Sequence, residues 1–247
     1  MRLLISVRDP EEATAAVAGG ADIIDIKNPD EGPLGAQTPA AIQAIRHVVP
    51  AAVPLSATIG DVPNRPGSVA LAAFGAAVLG VQFVKVGLAT PHGVTAASAL
   101  LRHVIDAVSV LASPPGIVAV GFGDGPAHGA LGPEEVVDAA AQAGAAVCML
   151  DTIDKLPGRS LRHALSEDRL AAFVLRARRA GMLTGLAGSL GAEDFDLVAR
   201  LAPDIIGVRG AACDGDRWSG RIRCERVAAL KRLLVSSARE SPVVSRP

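Results

Sequence analysis

The chain carries 24 basic residues, and only four of them are lysine: Lys27, Lys85, Lys155 and Lys231. Arginine fills nearly every other basic position, so the exposed surface makes little use of lysine. Lys27 lies near the end of the run Asp22-Ile23-Ile24-Asp25-Ile26-Lys27-Asn28-Pro29, and Lys85 sits inside Phe83-Val84-Lys85-Val86-Gly87. Lys155 follows Asp151, the last residue of Ala146-Val147-Cys148-Met149-Leu150-Asp151, by four positions. Charges set into apolar strands are rare unless they are paired or used. A desolvated lysine, or one crowded by other cations, has its pKa lowered and can attack an aldehyde or ketone. The resulting iminium is an electron sink for proton removal, aldol addition or elimination, with a second lysine or an aspartate moving protons. The plain alternative is a structural lysine–aspartate network.

The elements that must position these residues can be read in order. Ile23, Ile24 and Ile26 make the second strand apolar on both faces, as a covered parallel strand requires. Alternation along that strand puts Asp25 and Lys27 on one face. Further strands are expected at Leu3–Ser6, Val53–Thr58, Phe83–Gly87, Ile117–Gly121, Ala146–Asp151, Leu183–Ala187 and Asp204–Val208. A helix pattern follows each strand, several begun by a proline at the first helical position, as at Asp9-Pro10 and Thr38-Pro39. Eight strand–helix units in 247 residues predict a single α/β domain, a (β/α)8 barrel rather than an open sheet. No glycine fingerprint of the dinucleotide type follows the first strand. The barrel is expected over residues 1–240, with 241–247 a frayed tail.

A barrel of this kind works at the carboxyl ends of its strands. Asp25, Lys27, Lys85 and Asp151 end strands there, with Asp124, His128 and Lys155 in the following loops. Loops seven and eight carry Gly188-Ser189 and Arg209-Gly210, the usual place of a phosphate cradle, with Arg209 adding a charge-assisted contact. His128 and Asp124 are candidate substrate contacts. Together these features suggest carbonyl chemistry on a phosphorylated sugar-like substrate.

Composition narrows the remaining classes. The net charge is −1 with no run of like charges, and aromatic residues make up 2 % of the chain, so neither nucleic acid nor an anionic membrane is an expected partner. The three cysteines, Cys148, Cys213 and Cys224, lack CxxC spacing and fit a reduced cytosol. No signal peptide or spanning segment is expected, so the location is read as cytoplasmic. The five histidines lack ligand spacing, so neither a metal nor any other cofactor is expected. Self-association is expected, with the alanine-rich third helix or the loop at 213–222 as an interface.

Several blocks, taken in order, resemble one family: Ile24-Asp25-Ile26-Lys27-Asn28-Pro29 with Gly35, Ser56-Ala57-Thr58 with Gly60-Asp61-Val62-Pro63, Lys85-Val86-Gly87-Leu88, Met149-Leu150-Asp151-Thr152, Ala187-Gly188-Ser189, and Gly207-Val208-Arg209-Gly210-Ala211-Ala212-Cys213. They are similar to (5-formylfuran-3-yl)methyl phosphate synthase, also called 4-(hydroxymethyl)-2-furancarboxaldehyde-phosphate synthase. The resemblance implies a (β/α)8 lyase of methanofuran biosynthesis that joins two molecules of glyceraldehyde 3-phosphate with loss of phosphate and water. It implies that Lys27 is the Schiff-base lysine, Lys85 the proton acceptor, and Asp25, Asp151 and Lys155 supporting groups. The run Lys155-Leu156-Pro157-Gly158-Arg159 departs from the family's pattern after its lysine. A class I aldolase acting on a phosphorylated sugar is the second reading. A non-catalytic phosphate-binding barrel is the third, and a metal-dependent epimerase finds no histidines at strand ends.

Overall fold

The computed structural model describes residues 1–61, 63–89, 93–156 and 158–240. The expected tail at 241–247 and His92 lie outside the described residues. Eight strands alternate with helices: β1 (Arg2–Val7), α1 (Pro10–Ala18), β2 (Ile23–Ile26), α2 (Pro39–Val48), β3 (Leu55–Thr58), α3 (Pro66–Val78), β4 (Phe83–Gly87), α4 (Gly93–Ser109), β5 (Gly116–Phe122), α5 (Pro133–Ala143), β6 (Val147–Asp151), α6 (Leu161–Ala164), α7 (Glu167–Arg179), β7 (Leu183–Leu186), α8 (Phe195–Leu201), β8 (Ile205–Val208) and α9 (Cys224–Glu240). All neighbouring strands pair in parallel, and β8 returns to β1, so the sheet is a closed barrel. The expected (β/α)8 barrel is the observed fold.

The strands sort their side chains by alternation. Leu3, Ile5 and Val7 of β1, like Ile24, Ile26, Val84, Val86 and Leu150, pack outward in the layer shared with the helices. Leu4, Ile23, Val118, Val120, Val147 and Met149 fill the barrel itself. Registers Ser6↔Asp25 and Asp25↔Ser56 bring three polar side chains side by side above this apolar plug. Asp25 and Lys27 therefore point into the barrel, at the end where β2 stops.

Proline stands in the first turn of α1, α2, α3 and α5, where its missing N–H leaves no helical bond unmade. Asp9 caps α1 by accepting from the Glu12 amide at 2.9 Å, and Thr38 caps α2 by accepting from the Ala41 amide. The segment after β6 holds more structure than the expected plain loop. A short helix, α6, begins after Ser160, and α7 begins after Ser166, whose hydroxyl accepts from the Arg169 amide. β3 is shorter than expected, because Val53 and Pro54 precede the first strand residue, Leu55. Among the described residues no helix is long and apolar enough to cross a membrane.

Candidate active site

Three of the four lysines meet inside the open end of the barrel. Lys27 and Lys85 are each 5 % exposed. The side chain of Lys155 is 8 % exposed. The fourth, Lys231, lies on α9 and pairs with Asp22 before β2, away from the others.

Asp25 is the innermost carboxylate. Its Oδ2 accepts from the Ser6 hydroxyl at 2.8 Å and forms an ion pair with Lys85 Nζ at 2.9 Å. Among the described residues its buried Oδ1 has no hydrogen-bond partner, and the buried Ser56 hydroxyl is in the same condition. β4 delivers Lys85 because Lys85 stands opposite Thr58 and Val118 in the register, with its side chain on the inward face.

Asp151, at the end of β6, holds the second pair. Its Oδ1 accepts from the Thr152 amide at 2.8 Å and from Lys155 Nζ. Lys155 also donates to the Thr152 hydroxyl at 3.1 Å. Burial by itself would push the Asp151 carboxyl up. The charges of Lys155 and Lys27, with the two hydrogen bonds, overcome that and hold it well below the usual carboxylate range. Burial also lowers the Lys155 amine, against the opposing pull of Asp151.

Lys27 lies between these pairs and belongs to neither. Among the described residues its amine has no hydrogen-bond partner and no carboxylate within ion-pair distance. Burial lowers its pKa from 10.5 to about 7. Asp151 and Asp25 pull it back up through space, while Lys155 and Arg217 push it further down. A lysine held this way presents a large neutral fraction near pH 7, which is the form that attacks a carbonyl.

The other predicted residues take different places. Asp124 accepts from the Ile153 amide through Oδ1 and from the Asp154 amide through Oδ2, both at 2.8 Å. It latches the loop that carries Lys155, which fixes the aim of that lysine despite the altered turn behind it. His128 is half-exposed, 3.8 Å from Asp124. Gly188 sits at φ +104°, and a Cβ there would lie 3.1 Å from the Thr152 amide nitrogen, so glycine lets loop seven pass close to loop six. Ser189 is exposed, at φ +51°. Gly210 opens a short 3-10 turn ending at Ala212.

Arg209 is the surprise among them. Its guanidinium is buried and grips Glu12 of α1 with two bonds, at 2.7 and 3.1 Å. Nη1 also donates to the Ser6 carbonyl at 3.0 Å, and Nε to the Arg217 carbonyl at 2.9 Å. Four of its five N–H groups thus have protein acceptors, so its direct reach toward a ligand is small.

Residues not singled out from the chain also matter. Asp61, at the mouth, accepts from the Leu34 amide at 2.8 Å and is pushed up by burial, with Lys27 acting the other way. Arg217, in the loop after β8, is near enough for its charge to act on Lys155 and for the charge of Asp151 to act on it. Its Nε is buried without a hydrogen-bond partner among the described residues. Glu12 read as an ordinary first-turn acid, and nothing along the chain joined it to Arg209, 197 residues away. Among the described residues no group of three or more His, Cys, Asp or Glu side chains is arranged to hold a metal.

A cleft of ≈ 600 Å³ opens beside Lys155, between the loops that follow β6, β7 and β8. That size suits a small metabolite.

Comparison with known proteins identifies the family. The family model described as 4-HFC-P synthase matches residues 3–231. The chain is 46 % identical over 234 residues to a (5-formylfuran-3-yl)methyl phosphate synthase of Methanocaldococcus jannaschii, covering 94 % of this chain and 99 % of that one. It is 44 % identical to the protein of the same name from Methanothermobacter thermautotrophicus, covering 96 % of this chain and all of that one (100 %). In fold it is similar to 3-hexulose-6-phosphate synthase from Salmonella typhimurium, with a TM-score of 0.66 at 16 % identity, covering 96 % of this chain and 100 % of the other. The chain belongs to the 4-HFC-P synthase family.

Proposed function

We propose that this member of the 4-HFC-P synthase family condenses two molecules of glyceraldehyde 3-phosphate into (5-formylfuran-3-yl)methyl phosphate, with loss of phosphate and water, through a Schiff base on Lys27. The observation that carries the reading is the buried, unpaired amine of Lys27 between two lysine–aspartate pairs. The names of its relatives supply the product, and methanofuran biosynthesis is the pathway to which the product belongs.

The chemistry follows from the charges. The neutral amine of Lys27 adds to the aldehyde carbon of one triose phosphate. Lys85 gives a proton to the hydroxyl that leaves as water, and an iminium remains on Lys27. Lys85, now neutral, takes the proton from the carbon beside the iminium, and Asp25 steadies the ammonium that re-forms. The enamine expels phosphate from the next carbon and returns the iminium, leaving an enol. That enol gives up its hydroxyl proton to water and bonds through its terminal carbon to the central carbonyl carbon of the second triose phosphate, taken as its ketone isomer. Lys155, held by Asp151, protonates the oxygen of that ketone. Ring closure and dehydration give the aromatic furan.

The test is trapping. Reduction with borohydride in the presence of glyceraldehyde 3-phosphate, followed by peptide mass spectrometry, should place the adduct on Lys27. Turnover should release inorganic phosphate as furan absorbance appears. An adduct on Lys27 without phosphate release would instead mark a class I aldolase. No adduct on Lys27 would remove the Schiff-base assignment.

A further inference from the structure

Among the described residues, the cleft beside the lysines contains a cation, Arg217, that has no ion-pair partner. Among its lining cations, Arg159 pairs with Asp154 at 2.8 Å, Arg162 faces Asp194 at 3.6 Å, and Lys155 pairs with Asp151. Arg217 has no carboxylate within ion-pair distance among the described residues, and its buried Nε has no hydrogen-bond partner. Two of the three carboxylates on the same walls, Asp216 and Asp194, are already engaged. Asp216 accepts from the Trp218 and Ser219 amides at 2.7 and 2.8 Å. Asp194 accepts from the Gly191 amide at 2.9 Å, and Glu193 lies over Gly191.

The guanidinium of Arg217 is also held in place. Trp218 lies beneath it, with 5.6 Å from the guanidinium carbon to the ring centroid, a contact that fixes the plane of the fork. Arg209 fixes the backbone, because its Nε donates to the Arg217 carbonyl. An oriented, unpaired guanidinium at the rim of a cleft is suited to bidentate contact with a phosphate. The charge of Arg217 acts on both Lys27 and Lys155, so a dianion held there would lie within range of the reacting amine.

We propose that Arg217 is the phosphate-binding arginine of this site, gripping the phosphate monoester of a substrate in the cleft between the loops after β6, β7 and β8, while Arg209 serves as the buried anchor that positions it. The identity of that substrate as a triose phosphate rests on the function proposed above. The binding of phosphate itself does not.

Two measurements on the full chain separate the two claims. The first uses inorganic phosphate as the probe, titrated into wild type and into the Arg217→Ala and Arg217→Lys variants, with circular dichroism confirming the fold. Binding should weaken at least tenfold in Arg217→Ala and to an intermediate degree in Arg217→Lys, which keeps charge without the fork. Equal affinity in wild type and Arg217→Ala would overturn the proposal. The second compares borohydride trapping of glyceraldehyde 3-phosphate with that of unphosphorylated glyceraldehyde. The preference for the phosphorylated aldehyde should fall at least tenfold in Arg217→Ala, and an unchanged preference would also overturn it. Loss of trapping on Lys27 in the wild type, with Arg217-dependent phosphate binding intact, would reject the Schiff-base reading and leave Arg217 in its role.

Discussion

Two charged groups are buried at the mouth of this barrel, and they are built on opposite principles. The Arg209–Glu12 pair is closed. Two bonds join the side chains, and the remaining contacts of Arg209 go to backbone carbonyls. The lysine group is open. Lys85 and Lys155 have carboxylate partners, while among the described residues Lys27 has none within bonding distance and Asp25 Oδ1 and Ser56 Oγ have no hydrogen bonds. A fully satisfied buried ion pair holds parts together. An unsatisfied one carries a cost that packing alone does not explain, and such sites are where reacting groups are found.

If that contrast is right, the two regions fail in different ways. Lys27→Met should reduce turnover by at least about 10⁴-fold, on the scale of losing a covalent nucleophile. It should not cost stability. With a folded-state pKa near 7 against an ordinary 10.5, the unfolded chain holds more protons than the folded one between those values, so the wild type gains stability as pH rises through that window. Below it, the folded state must keep a desolvated ammonium, and Lys27→Met should melt higher than wild type at pH 6. Arg209→Met should do the reverse. It leaves Glu12 buried with only the Arg8 amide and a 3.7 Å contact to the Arg8 guanidinium, a loss of roughly 3 kcal/mol, which for a chain of this length lowers Tm by about 10 °C. A Lys27→Met variant that unfolds and an Arg209→Met variant that keeps its Tm would break the comparison.

Smaller effects sharpen it. Asp25→Asn should lower turnover by about 10²–10³-fold, because Lys85 loses its ionic partner while the shape of the site is kept. Tm should move little, and rescue of the rate by Asp25→Glu would point to charge rather than packing. Asp124→Ala removes the acceptor for two amides of the loop that carries Lys155. It should lower kcat about tenfold, for misplacement of one catalytic group, while imine trapping on Lys27 continues.

The smallest expected change is in pH dependence. Imine formation by the wild type should rise with pH through about 7 and level off above it, as Lys27 loses its proton. Asp151 is the strongest influence raising the Lys27 value, so Asp151→Asn should move that rise to lower pH, by about one unit. A rise that stays in place, or moves upward, would mean that Asp151 does not govern Lys27.

Some of this was legible along the chain for plain reasons. Strand alternation puts Asp25 and Lys27 on one face wherever the strand lies, and the scarcity of lysine makes Lys27, Lys85 and Lys155 conspicuous. Proline at the start of α1 and α2 marks those helices locally. The eightfold repeat of strand and helix admits few closed arrangements other than a parallel barrel. Helix α6 was not legible, because four residues are too few to show a period.

Chain order and residue type therefore determined the fold class, the inward face of each strand and the three lysines at its mouth, since all of these depend on local periodicity and connection rules. Which cation is paired and which is free depended on distance in space. Arg209 follows the strand where a phosphate cradle is usual, yet closure of β8 onto β1 brings it against Glu12, an acid from the other end of the chain. Arg217 sits in a loop with no pattern to mark it, and only the packing of that loop over Arg209 leaves its guanidinium uncompensated beside the lysines. The lowered pKa of Lys27 is likewise a property of the assembled barrel, because desolvation and the charges of four other residues act together only once the strands have closed.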